Sequence, residues 1–247
     1  MINIKESRHP IVDYRPIRPS DLEVLEKIHG ELFPIRYESE FFHSVVNGRG
    51  IVSWGAVDRA RPMSQNDELI GFVTARVVIA KESEIEDLIR FESPKSDETL
   101  VYILTLGVVE SYRNVGVASS LIREVIKYAS TITTCRAVYL HVISYNNPAI
   151  LLYKRMSFQC VRKLDSFYFI DGHHYDAYLF IYYVNGGRTR CSPMLELVAL
   201  LLTHAKSGLK SVARILWRKE DKKVPKWPRN REAGCLLPTI QNKITTK

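Results

Sequence analysis

A short turn between an apolar run and a helical pattern has the clearest chemical content in the sequence. It contains Arg113, Gly116 and Ala118 at the spacing Arg-x-x-Gly-x-Ala, directly after the apolar run 100–109. The unpaired N–H groups at a helix start attract anions, and small side chains let a diphosphate come close to the backbone. The segment therefore predicts a site for a phosphate-bearing ligand. A glycine that only tightens a strand-to-helix turn would give the same short pattern.

Two titratable side chains lie in neighbouring apolar segments that are typical of strands. Tyr102 belongs to the run 100–109 and His141 to the run 137–144. Histidine, with a reference pKa of about 6.5, is the natural general base at neutral pH. A tyrosine, with a reference pKa of about 10, serves only with a shifted pKa or through an ordered water. A buried histidine bonded to a backbone carbonyl and an aromatic ring in a covered sheet are the structural alternatives.

The turn, with the strand before it and the helix after it, resembles motif A of the GNAT superfamily of acetyltransferases, whose pattern is Arg/Gln-x-x-Gly-x-Gly/Ala. The resemblance extends over residues 11–184. It implies an α/β protein with the GNAT fold, in which a mixed central sheet of about seven strands is flanked by helices. It also implies acetyl-CoA as co-substrate and no metal. The diphosphate would lie on the turn and the pantetheine arm between strands 100–109 and 137–144, which splay apart.

The resemblance assigns a set of residues to the cofactor. They are Leu104, Leu106, Gly107, Val108, Arg113, Asn114, Val115, Gly116, Val117, Ala118, Asn146 and Tyr153. In the family, the asparagine at the position of Asn146 hydrogen-bonds the cofactor arm, and the tyrosine at the position of Tyr153 lies near the sulfur. Tyr153 would then donate a proton to the departing thiolate. Packing on its helix face beside Ile150 is an equally open interpretation.

Five short strings narrow the resemblance to enzymes that acetylate protein N-termini. They are 33–37 (FPIRY), 101–104 (VYIL), 139–142 (YLHV), 146–147 (NN) and 183–187 (YVNGG). The last string, followed by an apolar and basic extension, is most similar to the membrane-associated NatF type. This implies that Tyr102 and His141 are general bases and that the substrates are membrane proteins with cytosolic N-termini beginning Met-Leu, Met-Ile, Met-Phe or Met-Lys. Lysine acetylation, including that of histones, is also ascribed to the family.

Apolar side chains are expected to form a mouth over the reacting amine. The predicted substrate-binding residues are Phe33, Pro34, Arg36, Tyr37, Tyr102, His141, Phe167 and Tyr168. Such a mouth suits a substrate that begins with methionine and another apolar residue. Arg36 stands where animal NatF enzymes carry an acidic residue, so the charge preference at the next substrate positions stays open. A lysine amine has a pKa about 2.5 units above that of an α-amine, so a weak base favours N-termini by roughly 3.4 kcal/mol.

The composition is that of a globular protein. The chain has 247 residues, of which 46% are hydrophobic and 25% charged, and this balance excludes a disordered polymer, a collagen and a coiled coil. Its four cysteines form no C-x-x-C pair, so we expect neither a disulfide framework nor a zinc ribbon. No signal peptide is expected. The longest uncharged run of the basic end, 197–205, is too short to span a membrane.

Hydrophobic periodicity predicts the elements that position these residues. The predicted elements are strands at 100–109 and 137–144, helices at 116–130 and 147–156, and a hairpin of 158–170 with 175–183. The strand at 100–109 is apolar enough to be covered on both faces. The charged segment 81–98 shows no clear period and is expected to be a mobile connection.

Charge divides the chain into two parts. Residues 1–187, the predicted GNAT domain, hold 21 Lys and Arg against 23 Asp and Glu, whereas residues 188–247 hold 14 against 4. In the second part, apolar residues repeat along one helical face and basic residues along the other, which is typical of a helix lying in a membrane interface. We therefore expect residues 192–223 to bind an anionic membrane surface and the end of the chain to be disordered.

The basic extension predicts a peripheral protein on the cytosolic face of a membrane, and the resemblance to the NatF type implies the plasma membrane or the Golgi. A helix that docks on the catalytic body is the alternative; nucleic acid is not expected as a partner, and we expect a monomer. The sequence leaves lipidation of Cys235 undecided. Two other functions stay open, namely an acetyltransferase for lysine side chains (including histones) or small amines, and a membrane adaptor on an inactive GNAT fold. The presence of Arg113, Tyr102 and His141 favours an enzyme over the adaptor.

Overall fold

The computed structural model describes residues 10–65, 67–89 and 97–187, which contain seven strands and four α-helices. The strands are β1 (Val12–Pro16), β2 (Val52–Asp58), β3 (Leu69–Ile79), β4 (Thr99–Val108), β5 (Cys135–Ile143), β6 (Gln159–Ile170) and β7 (His173–Tyr183). The helices are α1 (Leu22–Leu32), α2 (Ser39–Val46), α3 (Val117–Thr131) and α4 (Asn147–Arg155). The strands form one mixed sheet in the order β1-β2-β3-β4-β5-β7-β6, in which β4 and β5 run parallel. This confirms the predicted seven-stranded α/β architecture.

Helices cover both faces of the sheet. Successive side chains of a strand point to opposite sides, so one strand packs against both layers. Val101 and Ile103 of β4 pack with α3 and α4, while Leu100 of the same strand packs on the other side. Helices α1 and α2 lie over the β2–β3 part of that other side, around Phe72. All three β4 side chains are at most 4% exposed. The strand is therefore covered on both faces, as predicted.

The two parallel strands part halfway along their length. Their last pairing joins Tyr102 to Tyr139. Beyond it, β4 stays paired with β3 as far as Val108, and β5 stays paired with β7 as far as Ile143. A cleft consequently opens between the second halves of β4 and β5.

A β-bulge bends β4 at the start of this cleft. Thr105 pairs with Thr74 and Ile103 with Ala75, so Leu104 is an extra residue without a partner in β3. The buried hydroxyl groups of Thr74 and Thr105 hydrogen-bond each other at 2.6 Å. Because a bulge bends its strand and increases the local twist, it turns β4 away from its earlier course at the residue where β5 is left behind.

The segment after β3 is folded against the sheet. Two 3-10 turns follow β3, at Ala80–Glu82 and Glu86–Leu88. Ile85 and Ile89 are fully buried against β4, β5 and β7. Burying side chains of this size stabilises a fold by about 1.5–3 kcal/mol each. The prediction of a mobile connection is therefore wrong for residues 81–89.

The basic extension lies outside the described residues. This applies to the predicted membrane-binding segment 192–223 and to Cys235. Within the described part of the chain, no helix is long and apolar enough to cross a membrane. The two cysteines of that part, Cys135 and Cys160, are free thiols.

A histidine is buried among aromatic rings where α1 packs on the sheet. His29 is 1% exposed, and its ring lies 4.5 Å from that of Phe33, 4.9 Å from Tyr37 and 5.2 Å from Phe42. Its Nε2 has no hydrogen-bond partner among the described residues. Burial lowers the pKa of His29 to about 4. The neutral imidazole therefore acts here as an aromatic packing residue.

The protein is expected to lose stability as the pH falls from about 6.5 toward 4, because His29 binds a proton in the unfolded chain before it does so in the folded one. Replacing His29 with phenylalanine should remove about 2 kcal/mol of the loss in unfolding free energy between pH 7 and pH 5. His141, whose pKa is also lowered to about 4, should still contribute to the dependence of stability on pH in this variant. Urea denaturation at the two pH values measures this.

The matched control is His43→Phe, which changes an exposed histidine on α2. That variant should keep the wild-type dependence on pH. Equal slopes in His29→Phe and the wild type would contradict the assignment.

Candidate active site

The parting of β4 and β5 opens a cleft of about 970 Å³. Its walls are residues 103–108 of β4 and 140–143 of β5, and one end is closed by the turn and first residues of α3, 112–114 and 116–119. Residues 32–35 and Tyr37 lie at its mouth, and the remaining wall comes from residues of α4 and its N-cap, together with Tyr168 and Ile170 of β6. The β4 backbone that faces β5 here lacks a strand partner, so its N–H and C=O groups are available to a ligand.

The turn before α3 is shaped to receive an anion. Gly116 is the N-cap of α3 and has a left-handed backbone, with φ +91°. The N–H of Ser120 donates to the Gly116 carbonyl at 3.1 Å, so the three preceding N–H groups, of residues 117–119, stand at the open helix start. These residues line the cleft, where the helix dipole also favours negative charge. A Cβ at Gly116 would meet nothing within 4 Å, so the glycine is required by its dihedral angle and not by lack of space.

Two side-chain contacts hold this turn in place. Arg113 Nε donates to the carbonyl of Val108 at 3.2 Å, which ties the turn to the end of β4. The Tyr112 hydroxyl donates to Asp58 Oδ2 at 3.0 Å. Asp58 Oδ1 in turn accepts the backbone N–H groups of Ile11 and Ala60, at 2.9 and 3.0 Å. The buried carboxylate of Asp58 therefore joins the phosphate turn to the β1–β2 end of the sheet.

Tyr102 and His141 meet at the inner end of the cleft, where the strands part. The Tyr102 hydroxyl lies 3.2 Å from His141 Nδ1. The His141 side chain is 1% exposed, and its Nε2 has no hydrogen-bond partner among the described residues. Phe167 of β6 stacks on the imidazole with ring centres 4.5 Å apart. The sheet thus brings the two predicted bases into one hydrogen-bonded pair.

The surroundings of this pair shift the pKa values of its two members in opposite directions. Burial lowers the pKa of His141 to about 4, so the imidazole is neutral and has a free lone pair at neutral pH. Burial raises the pKa of Tyr102 well above its usual value, and the negative charge of Glu84 raises it further. His141 is consequently able to accept a proton, while Tyr102 stays a hydroxyl.

Asn146 and Tyr153, at opposite ends of α4, present different groups to the cleft. Asn146 is the N-cap of α4, and its Oδ1 accepts the N–H of Ala149 at 3.2 Å. The side-chain oxygen is therefore used by the helix, and its amide nitrogen is the group left to donate to a ligand. Tyr153 is 6% exposed and packs against Phe158 and Phe180, and burial raises its pKa. It remains a protonated hydroxyl, which is the state that a proton donor requires.

The mouth of the cleft is built on the aromatic cluster around His29. Phe33 stacks on the imidazole of His29 and also approaches β4 closely. A Cβ at Gly107 would lie 3.2 Å from the Phe33 ring and 2.9 Å from Leu32. Gly107 therefore lets the mouth pack directly on the strand that lines the cleft.

The structure gathers most of the predicted site residues around this cleft. The predicted residues that line it are Phe33, Pro34, Tyr37, Leu104, Leu106, Gly107, Val108, Arg113, Asn114, Gly116, Val117, Ala118, His141, Asn146, Tyr153 and Tyr168. Tyr102 and Phe167 are not among the lining residues but contact His141 directly. Val115 is 55% exposed and Arg36 is exposed, and neither lines the cleft.

Sequence reasoning did not find three residues that organise the site. Glu84 lies 3.7 Å from His141 Nδ1. Asp58 accepts a hydrogen bond from Tyr112 in the turn before α3, and His29 stacks on Phe33 at the mouth of the cleft. Glu84 belongs to a segment without periodicity, and the other two act through contacts between residues far apart in sequence. Of the three, only His29 has a signal in the sequence: it is a polar residue within the apolar face of a helix, where a buried polar side chain is unusual.

Metal chemistry has no obvious ligands in this part of the protein. Within residues 10–65, 67–89 and 97–187, no group of three or more His, Cys, Asp and Glu side chains is placed to hold a metal ion.

The chain belongs to the GNAT family of acetyltransferases. Residues 22–158 match the model of the family described as "Acetyltransferase (GNAT) family". The match confirms the predicted GNAT fold and the class of enzyme, an acyltransferase. The findings therefore support an enzyme and not an adaptor on an inactive GNAT fold.

Relatives are consistent with the NatF type. "Histone acetyltransferase MCC1" of Arabidopsis thaliana is 60% identical over 227 residues, which cover 92% of this chain and 91% of that protein. "N-alpha-acetyltransferase 60" of Danio rerio is 29% identical over 178 residues, 71% of each chain. A crystal structure of Arabidopsis thaliana NAA60 in complex with acetyl-CoA is 67% identical and superposes with a TM-score of 0.69, covering 71% of this chain and 99% of that chain. Because NAA60 is the NatF enzyme, the resemblance seen in the sequence is confirmed.

Replacing Gly116 with alanine should lower the unfolding free energy by about 1–2 kcal/mol, because a side chain disfavours the left-handed backbone at this position. It should also reduce the thermal stabilisation that acetyl-CoA gives, since the N–H groups of α3 are displaced. Gly30→Ala is the matched control, because Gly30 lies inside α1 with open space for a Cβ, and the change should stabilise by about 1 kcal/mol. Chemical denaturation and thermal shift measure both; similar effects of the two substitutions would contradict the role of Gly116.

Proposed function

We propose that this protein is an N-α-acetyltransferase that transfers the acetyl group of acetyl-CoA to the N-terminal amine of a protein. The observation that carries the proposal is the cleft between the parted strands, which joins the open N-terminus of α3 to the Tyr102–His141 pair. The residues present fit acetyl-CoA, because three helix N–H groups stand where a diphosphate would bind and an unpaired strand edge runs from there to the bases. The solved NAA60 relative, 67% identical, is described in complex with acetyl-CoA.

Acetyl-CoA supplies an activated thioester, and the protein has to position an amine against it and move one proton. The amine nitrogen forms a bond to the acetyl carbon as the bond from that carbon to sulfur breaks. His141 accepts the proton released by the amine, and Tyr102 fixes the orientation of the imidazole through its 3.2 Å contact. The protonated hydroxyl of Tyr153 is placed in the cleft wall to give a proton to the leaving sulfur.

The mouth favours N-termini that begin with methionine followed by an apolar or amphipathic residue, such as Met-Leu, Met-Ile, Met-Phe or Met-Lys. Phe33, Tyr37 and Tyr168 present aromatic rings to the cleft, and an apolar substrate side chain gains about 25 cal/mol per Å² of area buried against them. Arg36 is exposed beside this mouth, so acidic substrate residues further along the chain are compatible with it.

Acetylation of lysine side chains, as in histones, is the second candidate activity. It is favoured by the name of the 60% identical relative, "Histone acetyltransferase MCC1". A base with a low pKa is less suited to a lysine amine, because that amine has a reference pKa of about 10.4 against about 8 for an α-amine.

A peptide beginning Met-Leu should be acetylated faster than an internal-lysine peptide whose N-terminus is blocked.

His141→Ala should lower kcat by about 100-fold or more, since general-base catalysis contributes about 10²–10⁴. Tyr102→Phe removes one oxygen and should lower kcat less. Tyr178→Phe is the matched control, since it removes a tyrosine oxygen from β7 outside the cleft lining. Faster turnover of the blocked peptide would overturn the choice of substrate; full activity of His141→Ala would overturn the choice of base.

The extension 188–247 is proposed to hold the enzyme as a peripheral protein on the cytosolic face of the plasma membrane or the Golgi, where it meets membrane-protein substrates. The proposal is supported by the charge of this part, 14 basic against 4 acidic residues, and by its amphipathic period over 192–223. The match to the 60% identical relative covers 92% of this chain and so necessarily includes most of this extension. The boundary after residue 187 and the monomeric state belong to the same proposal.

Deleting residues 190–247 should move the protein from vesicles of anionic lipid into the supernatant, because each basic residue near such a surface contributes about 1 kcal/mol. Acetylation of a soluble Met-Leu peptide should be largely unchanged. Sedimentation with vesicles containing phosphatidylserine, and with phosphatidylcholine vesicles as the control, measures the binding. Undiminished sedimentation of the truncated protein would contradict the proposal.

A further inference from the structure

The 3-10 segment after β3 places a carboxylate beside the Tyr102–His141 pair. Glu84 precedes Ile85, which is fully buried in the cluster formed with β4, β5 and β7. Arg162 of β6 forms an ion pair with Asp87 of the same segment. The backbone that carries Glu84 is therefore fixed from two sides, by an apolar anchor and by an ion pair.

The contacts of His141 distinguish its two ring nitrogens. Nδ1 lies 3.2 Å from the Tyr102 hydroxyl and 3.7 Å from Glu84 Oε1. Nε2, on the opposite edge of the ring, has no hydrogen-bond partner among the described residues. His141 is one of the residues that line the cleft, and Nε2, although buried, is the ring nitrogen that no described residue engages.

A neutral imidazole carries its one proton on either nitrogen, and the neighbours of the two nitrogens select between these tautomers. A carboxylate next to Nδ1 only accepts hydrogen bonds, so it stabilises the form with a proton on Nδ1. In that form the lone pair is on Nε2. The opposite tautomer would turn a lone pair toward the negative charge of Glu84 and place a proton where the amine has to give one up.

We propose that Glu84 is a positioning residue that keeps the proton of His141 on Nδ1, so that Nε2 is the atom that takes the proton of the substrate amine. The inference rests on the proposed function, because it assumes that His141 is the base. When Nε2 accepts the proton, the imidazole becomes a cation with N–H groups on both sides. The carboxylate of Glu84 then stabilises that cation, as an orienting carboxylate does in other histidine-based sites.

Other charged and titratable groups face His141 and Glu84. They are Tyr102 from β4, Tyr139 from β5, Arg76 from β3, Arg162 and Tyr168 from β6, and Tyr37 from the segment after α1. The guanidinium groups of Arg76 and Arg162 favour the charged form of Glu84, while burial raises its pKa. The tyrosines are hydroxyls at neutral pH, so Glu84 supplies the negative charge nearest to Nδ1 in the described part of the protein.

Steady-state kinetics of Glu84→Gln test the proposal. Glutamine keeps the size of the side chain but removes the charge, so kcat should fall by about 10-fold with little change in KM for acetyl-CoA. Loss of the nearby negative charge lowers the pKa of the imidazole, so the acid limb of the kcat profile should move to lower pH. Glu84→Asp should restore part of kcat. Glu82→Gln is the matched control, because it removes a carboxylate from the same segment, and it should behave as the wild type.

A second measurement does not depend on any variant of Glu84. The ¹⁵N chemical shifts of the His141 side chain, assigned by comparison with His141→Gln, report which nitrogen carries the proton. The wild type should show the proton on Nδ1; a proton on Nε2 would overturn the inference, and so would an unchanged kcat and pH profile in a folded Glu84→Gln. If instead the wild type fails to acetylate the Met-Leu peptide, the proposed function fails, whatever the tautomer is.

Discussion

Beyond the pairing of Tyr102 with Tyr139, the backbone of β4 has a strand neighbour on one side only. Every amide along the free edge needs a partner, because an unpaired buried N–H or C=O group costs about as much as a lost hydrogen bond. The protein meets this by leaving the edge open to a cleft that also receives the N-terminus of α3. The same separation of strands therefore provides the binding groove, the anion site at one end and the wall that holds Tyr102 and His141 at the other.

Two buried imidazole nitrogens near this cleft have no hydrogen-bond partner among the described residues. His29 lies beneath the mouth and His141 in the wall, and both have an Nε2 without a hydrogen bond among the described residues. Such groups cost about 1–3 kcal/mol each, and an apolar ring of similar shape would avoid the cost. At His141 the missing hydrogen bond leaves the imidazole with a lone pair that is able to accept a proton. At His29 the imidazole instead packs as a ring against Phe33. Burial lowers the pKa of both histidines, but the two side chains serve different purposes.

The sequence allowed the core of the site to be predicted wherever the signal was local. The strand before the turn, Gly116 at the start of α3 and the hairpin of β6 and β7 all follow from short patterns of apolar residues and glycine. The placement of Tyr102 beside His141 required the resemblance to a family, since they are 39 residues apart. Glu84 was beyond reach, because its segment has no periodicity and is ordered by Ile85 and Ile89 meeting three strands. Contacts of this kind depend on the assembled sheet and leave no pattern in the segment itself.

The extra residue at Leu104 reverses the alternation of side chains along β4. Before it, the odd-numbered Val101 and Ile103 face α3; after it, the even-numbered Leu106 and Val108 do. The reversal puts Gly107 on the same side as Tyr102, where the absence of a side chain leaves room for Phe33. Removing or inserting a single amino acid in this strand would exchange its two faces, setting a leucine against the aromatic mouth and a glycine against the helix. The length of β4 is accordingly as much a determinant of the catalytic architecture as the identity of its residues.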